Sequence, residues 1–297
     1  MLHDWFFLAL LSPALWAVTV LIDDNLIRGV YKSPSVGVCI MGLFSLLPVL
    51  FLFFVTFTHP SSSIFFLSLF SGFILALSIW IYFKSLTIES PSVVIALWNL
   101  TYIFVPFMAY FLLGELLKPF QYLGFILVLG ISFFLSSPNF KKFRPKKSFL
   151  LMLIASLLYA VSSICQKYVY DSFDFWSGYI LVSLGMALAG AFFGIFSKKA
   201  REFLKDYKSK YFKYTWIFIA SESFFVAGVL FNSLALSKGP VSLVKVIEGV
   251  EPVFILLLAI LFYPVFPKFL REAASGGRVK KLALMGVMLL GLYFINL

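Results

Sequence analysis

Long apolar runs alternate with short polar connections along the whole chain. The runs fall at roughly 5–22, 36–57, 63–83, 91–113, 120–137, 148–167, 175–197, 214–236, 241–263 and 281–296. Each approaches the roughly 20 apolar residues that a helix needs to cross the hydrocarbon core of a bilayer. The runs are continuous rather than alternating, so they predict helices and not barrel strands. Only those two structures can satisfy the backbone inside lipid. The expected fold class is an all-α integral membrane protein with ten transmembrane helices.

Composition agrees with the pattern. Of 297 residues, 62% are hydrophobic and 12% charged, against about a quarter charged in soluble domains. The mean hydropathy is +1.01. A net charge of +11 could suggest nucleic acid, but the basic residues sit in short loops between apolar runs, so no nucleic-acid partner is expected. Loops after odd-numbered runs hold Arg28, Lys32, Lys84 and the clusters at 141–147, 198–213 and 268–281. Basic residues favour the cytoplasmic side, so both termini are expected on the non-cytoplasmic side of an inner membrane. The stretches 197–213 and 264–281 are expected to lie along the membrane surface as basic amphipathic turns. Cys39 and Cys165 both fall inside apolar runs, where a thiol behaves as a small hydrophobe. No metal cluster, phosphate loop or Ser–His pairing is present. The chain is therefore not expected to be an enzyme or to need a cofactor or metal.

The chain also repeats itself. "ALWAVTVLIDD" (14–24) aligns with "LLYAVSSICQK" (157–167), and "SPSVVIALWNLTY" (90–102) with "GPVSLVKVIEGVE" (239–251) at a spacing of 149. The expected units are residues 1–140 and 148–297. Five spans is an odd number, so the second unit must enter the membrane from the opposite side. Inverted repeats of this kind mark transporters, with substrate held near the midplane between them. Both units lie in one chain, so no partner protein is required.

The stretch "LLGELLKPFQYLGFILVLG" (112–130) resembles the drug/metabolite transporter superfamily, specifically its ten-helix EamA-type members. The residues carrying the resemblance are Gly114, Glu115, Gln121, Gly124 and Gly130. It implies a secondary transporter of a small organic metabolite or drug-like solute, working by alternating access and favouring export. A lipid-handling or flippase-like protein of the same fold is the alternative. The second unit has "FYPVFPKF" (262–269) where a second Gly-Glu would fall.

Charges inside spans are rare and usually face a cavity or a partner. Lys245 and Glu248 can pair three residues apart on a helix, with Glu251 on the neighbouring face and Pro252 freeing a carbonyl one turn back. At the 149 spacing, Asn99 stands opposite Glu248 and Tyr102 opposite Glu251, with Trp98 beside them. The expected substrate-binding wall is Trp98, Asn99, Tyr102, Lys245, Glu248 and Glu251. An ion pair that holds the ninth span is the competing reading. Glu222 and Glu251 are the expected proton-coupling carboxylates, able to share Lys245. Glu115 is expected to pack a helix end, Asp23 and Asp24 to form a surface pair with Arg28, and Gly42, Gly72, Gly178, Gly185 and Gly190 to mark close helix crossings.

Overall fold

The computed structural model describes residues 4–89, 91–136, 147–262 and 278–297. Among these, every regular element is helical. In chain order they are α1 (Asp4–Asn25), α2 (Pro34–Phe44), α3 (Ser62–Leu86), α4 (Pro91–Trp98), α5 (Thr101–Leu113), α6 (Pro119–Ser136), α7 (Lys147–Ser172), α8 (Phe175–Phe196), α9 (Lys198–Lys205), α10 (Thr215–Lys238), α11 (Val241–Glu248), α12 (Glu251–Phe262) and α13 (Arg278–Ile295). Six segments among the described residues are long and apolar enough to cross a membrane: Asp4–Asp23, Pro34–Phe53, Ser62–Leu86, Lys147–Ser172, Phe175–Phe196 and Tyr207–Lys238. The molecule is a multi-pass membrane protein.

The expected fourth and ninth spans are broken. Residues 99–100 separate α4 from α5, and 249–250 separate α11 from α12. The backbone turns identically at both breaks. Leu100 N–H donates to the Leu97 carbonyl and Ile103 to Leu100, while Val250 donates to Ile247 and Val253 to Val250. These tight i→i−3 bonds match at a spacing of 150 residues. Pro252 cannot donate at all, which ends the α11 ladder.

Polarity is turned inside out. Phe66, Phe107, Phe111, Ile195, Trp216 and Leu261 point outward, while serines such as Ser68, Ser71, Ser78, Ser162 and Ser221 are buried. Several of those hydroxyls donate back to their own helix one turn earlier, as Ser68 does to the Ile64 carbonyl at 2.7 Å. A polar group in an apolar interior must be satisfied this way or cost free energy.

Helices cross closely where glycine removes the side chain. An added Cβ on Gly42 of α2 would sit 2.5 Å from Gly190 Cα of α8, and one on Gly72 of α3 would strike the Val182 carbonyl of α8. Gly185 meets Leu69 in the same manner, and Gly178 meets Val169 within the α7–α8 hairpin. All five expected glycines are therefore crossing points. Gly124 of α6 against Gly291 of α13 marks a further crossing.

The principal contacts run between the two halves: α1 with α10, α3 with α7, α3 with α8, α2 with α8, and α6 with α13. Exchanging the halves turns the first of these pairs into the second and leaves the last two unchanged, whereas α3 with α8 has only a slight counterpart in α10 with α2. The stretch 197–213 packs part of itself against the helices. Its α9 buries Ala200 and Phe203, and the Phe203 ring lies 4.2 Å from that of Tyr211 and 6.2 Å from that of Phe218. Most of the stretch 264–281 lies outside the described residues.

Candidate functional site

The described part of the "LGELLKPFQYLG" stretch organises one end of the molecule. Gly114 ends α5 in the left-handed region, at φ 67°, where a residue without Cβ is favoured. That turn presents Glu115, whose two carboxylate oxygens accept from the backbone N–H groups of Val241 at 3.0 Å and Ser242 at 3.1 Å. A carboxylate at a helix N-terminus satisfies otherwise orphaned donors and meets the positive end of the dipole. Burial pushes the Glu115 carboxyl above its ordinary value. The bonds from Ser242 and Val241, with nearby Lys167, pull partly against that rise. Gln121 in turn accepts from the Lys118 N–H at 2.9 Å at the start of α6. Glu115 is thus a helix-end residue, as expected, but the helix it caps belongs to the other half of the chain.

Below that cap, α11 carries a buried polar network. Lys245 Nζ donates to Glu248 Oε1 at 2.6 Å, to Asn232 Oδ1 at 2.8 Å and to Tyr159 OH at 3.0 Å. Glu248 Oε1 also accepts from Asn232 Nδ2 at 2.6 Å, and its Oε2 from Tyr159 OH at 2.9 Å. The ammonium lies over the Tyr159 ring, 4.6 Å from its centroid. All three ammonium donors are used, and Lys245 and Glu248 are 2% and 1% exposed. A buried pair holds only when its remaining donors and acceptors are matched as here. Lys245 is not shared with Glu222 or Glu251: among the described residues its ion pair is with Glu248 alone. The i, i+3 pairing expected from the sequence is therefore present, and α7 and α10 complete it through Tyr159 and Asn232.

This network borders a cavity of about 110 Å³. Its wall draws on α1 (Trp16, Thr19, Val20, Asp23), α3 (Leu75, Ile79, Tyr82, Phe83), α4 (Ile95, Trp98), α7 (Tyr159, Gln166), α10 (Glu222, Phe225, Val229, Asn232) and the broken α11–α12 span (Lys245, Glu251). Both halves of the chain contribute. Trp98 packs its ring 5.2 Å from Tyr82 and 5.0 Å from Tyr159, forming one aromatic wall.

Four of the seven expected site residues line this cavity: Trp98, Lys245, Glu251 and Glu222. Glu248 lies behind Lys245. Asn99 and Tyr102 do not line it. Tyr102 is buried against Gly249, and Asn99 is 4% exposed with its Nδ2 lacking a hydrogen-bond partner. The 149 spacing pairs Pro91 with Pro240. The turns at the two breaks coincide at 150, and at that spacing Trp98 rather than Asn99 stands at the position of Glu248.

Asp23 also departs from expectation. Rather than forming a surface pair, it lines the cavity and accepts from Ser221 Oγ at 2.9 Å. The side chains of Asp24 and Arg28 lie outside the described residues. Sequence reasoning also missed Tyr159, Asn232 and Gln166. Their signal was present as neutral polar residues inside apolar runs, which hydropathy barely registers.

Among the described residues, no group of three or more His, Cys, Asp or Glu side chains could hold a metal ion. Cys39 and Cys165 are free and partly buried.

No curated protein matches the chain. One solved structure, described only as a crystal structure of protein, is similar over 99% of this chain and 96% of its own, with TM-score 0.71 and 14% identity. At that identity the likeness concerns the fold alone. Residues 4–137, the first part of the chain, match the EamA-like transporter family, which lies within the drug/metabolite transporter superfamily.

Proposed function

We propose that the protein is a secondary transporter that carries a small organic solute through the cavity between its halves by alternating access. The observation that carries this reading is the cavity itself, walled by helices of both halves and flanked by the two broken spans. Discontinuous helices at an interior site are a recurrent transporter device, because unwound backbone is tolerated at membrane depth only where it is buried in protein or lines a cavity.

In this reading the chain crosses an inner membrane ten times as two inverted units, residues 1–140 and 148–297, with both termini non-cytoplasmic. The pairings that survive exchange of the halves, α1 with α10 for α3 with α7 above all, and the matching breaks 150 residues apart support it. Rocking of one unit against the other would expose the cavity first to one face and then to the other. Export is the favoured direction. Glu222 and Glu251, both on the cavity wall, are the residues through which a proton would couple.

A thermal-shift screen of the purified protein tests the reading. The panel holds amino acids, sugars, nucleotides, polyamines and lipophilic cations, run beside Glu251→Gln. A solute at 100 times its Kd adds about 2.7 kcal/mol of stability. A class that shifts the wild type and less so the variant supports the cavity as the binding site, and its flux into proteoliposomes then follows. Stabilisation by added lipid alone, with no solute active, contradicts it.

A further inference from the structure

The cavity carries more acid than base. Asp23, Glu222 and Glu251 all line it. Lys245 is the one basic side chain among the described residues of its wall, and its charge is already matched by Glu248 with all three donors used.

Two of the acids sit on helices joined by hydrogen bonds at this cavity. Ser221, the neighbour of Glu222 on α10, donates to Asp23 on α1 at 2.9 Å, and Thr19 Oγ1 donates back to the Ser221 carbonyl at 3.4 Å. Glu222 is 6% exposed. Among the described residues neither carboxylate has a cationic partner. Just after α1, Tyr31, 4% exposed, has a hydroxyl with no hydrogen-bond partner among the described residues. Two buried carboxylates that line one cavity cannot both stay charged without a positive partner.

Resting on the transporter reading, we propose that the Asp23–Glu222 pair seats the ammonium group of an organic amine, which makes the solute class an amphipathic cation. Three features of the site fit that class. An ammonium has three donors and no acceptor, and so suits carboxylates that line one cavity. Phe225, one helical turn from Glu222, and Trp16 stand beside the pair on the cavity wall, where an apolar body attached to the ammonium would rest. Aromatic faces also attract a cation directly.

Phenethylamine, protonated near neutral pH, is a suitable probe, and 2-phenylethanol is its neutral isostere. Titration calorimetry on the purified full chain should show saturable binding of the amine and none of the alcohol. Asp23→Asn and Glu222→Gln keep the side-chain shapes, and each should weaken the amine at least about tenfold, as expected when one partner of a desolvated charge contact is removed. Gel filtration establishes that the variants are folded, and the wild-type comparison of amine with alcohol decides the matter even if one is not. Equal binding of amine and alcohol, no amine binding, or amine binding unchanged in both variants overturns the proposal. Saturable sodium binding without amine binding assigns the pair to an inorganic ion and also overturns it. A neutral solute found in the broader screen would overturn this inference while leaving the transporter reading intact.

Discussion

Glu115 and Ser242 are 127 residues apart in sequence, yet the Glu115 carboxylate accepts the Ser242 backbone N–H at 3.1 Å. The contact joins the turn after α5 to the first turn of α11, and so joins the two halves at one end of the cavity. A pair of this kind is well placed to hold that end closed, because separating the halves there must expose the α11 N–H groups again.

Glu115→Ala should therefore lower the thermal midpoint. Loss of a charged helix cap costs about 0.5–2 kcal/mol. Glu115→Gln, which keeps one carbonyl acceptor, should cost less than Glu115→Ala. Hydrogen exchange at Val241 and Ser242 should quicken in both variants. Unchanged exchange there would show that the cap does not restrain α11.

The Lys245–Glu248 pair makes a prediction of opposite shape. Lys245→Met leaves a buried carboxylate without its cation, at a cost of about 3–5 kcal/mol. Lys245→Met combined with Glu248→Leu removes both charges and should recover much of that loss. A double variant whose destabilisation is simply the sum of the two singles would mean the pair is not coupled. Thermal unfolding of the four proteins gives the answer.

Glycine crossings separate cleanly from glycines with open space around them. Gly190→Ala would drive a methyl group into Gly42 Cα, 2.6 Å away, so α2 and α8 must part and the midpoint must fall. Gly130→Ala meets nothing within 4 Å and should be neutral or stabilising by up to about 1 kcal/mol, since alanine favours helix over glycine. Equal effects at both sites would argue against the close crossing.

Much of this was legible in the chain and some was not, for physical reasons. Apolar runs located the six described segments long enough to cross a membrane, because burial in lipid demands them, and Lys245 with Glu248 was visible because charge inside a span is costly and i, i+3 neighbours must meet. Asp23 was misread because it ends an apolar run, where a charge ordinarily reaches water. Its cavity position depends on α10, far away in sequence. The same is true of Glu115, whose role as a cap was foreseeable but whose partner helix was not. The broken spans were read as continuous helices, since the turns at 99–100 and 249–250 interrupt hydrogen bonding without interrupting hydrophobicity. The turns at the two breaks coincide at a spacing of 150 while Pro91 and Pro240 lie 149 apart, because proline opens α4 as its first helical residue but precedes α11 as its cap.

The wall residue Trp98 offers a test of the cavity on its own. Trp98→Ala removes a ring that packs on both Tyr82 and Tyr159. Any solute held in the cavity should bind more weakly by about 1 kcal/mol or more, while Phe107→Ala, on the outward face, should leave binding unchanged. Titration of whichever solute class stabilises the wild type decides it.

The central claim is that one cavity opens in turn to both faces of the membrane. Val20 lines that cavity, so Val20→Cys, in a chain whose Cys39 and Cys165 are replaced by alanine, reports its access. In sealed vesicles of known orientation, a membrane-impermeant maleimide is applied to each face separately. Alternating access predicts labelling from both faces, with Glu115→Ala speeding reaction from the face that carries the Glu115 turn. Labelling from a single face, unchanged by Glu115→Ala, would contradict the account.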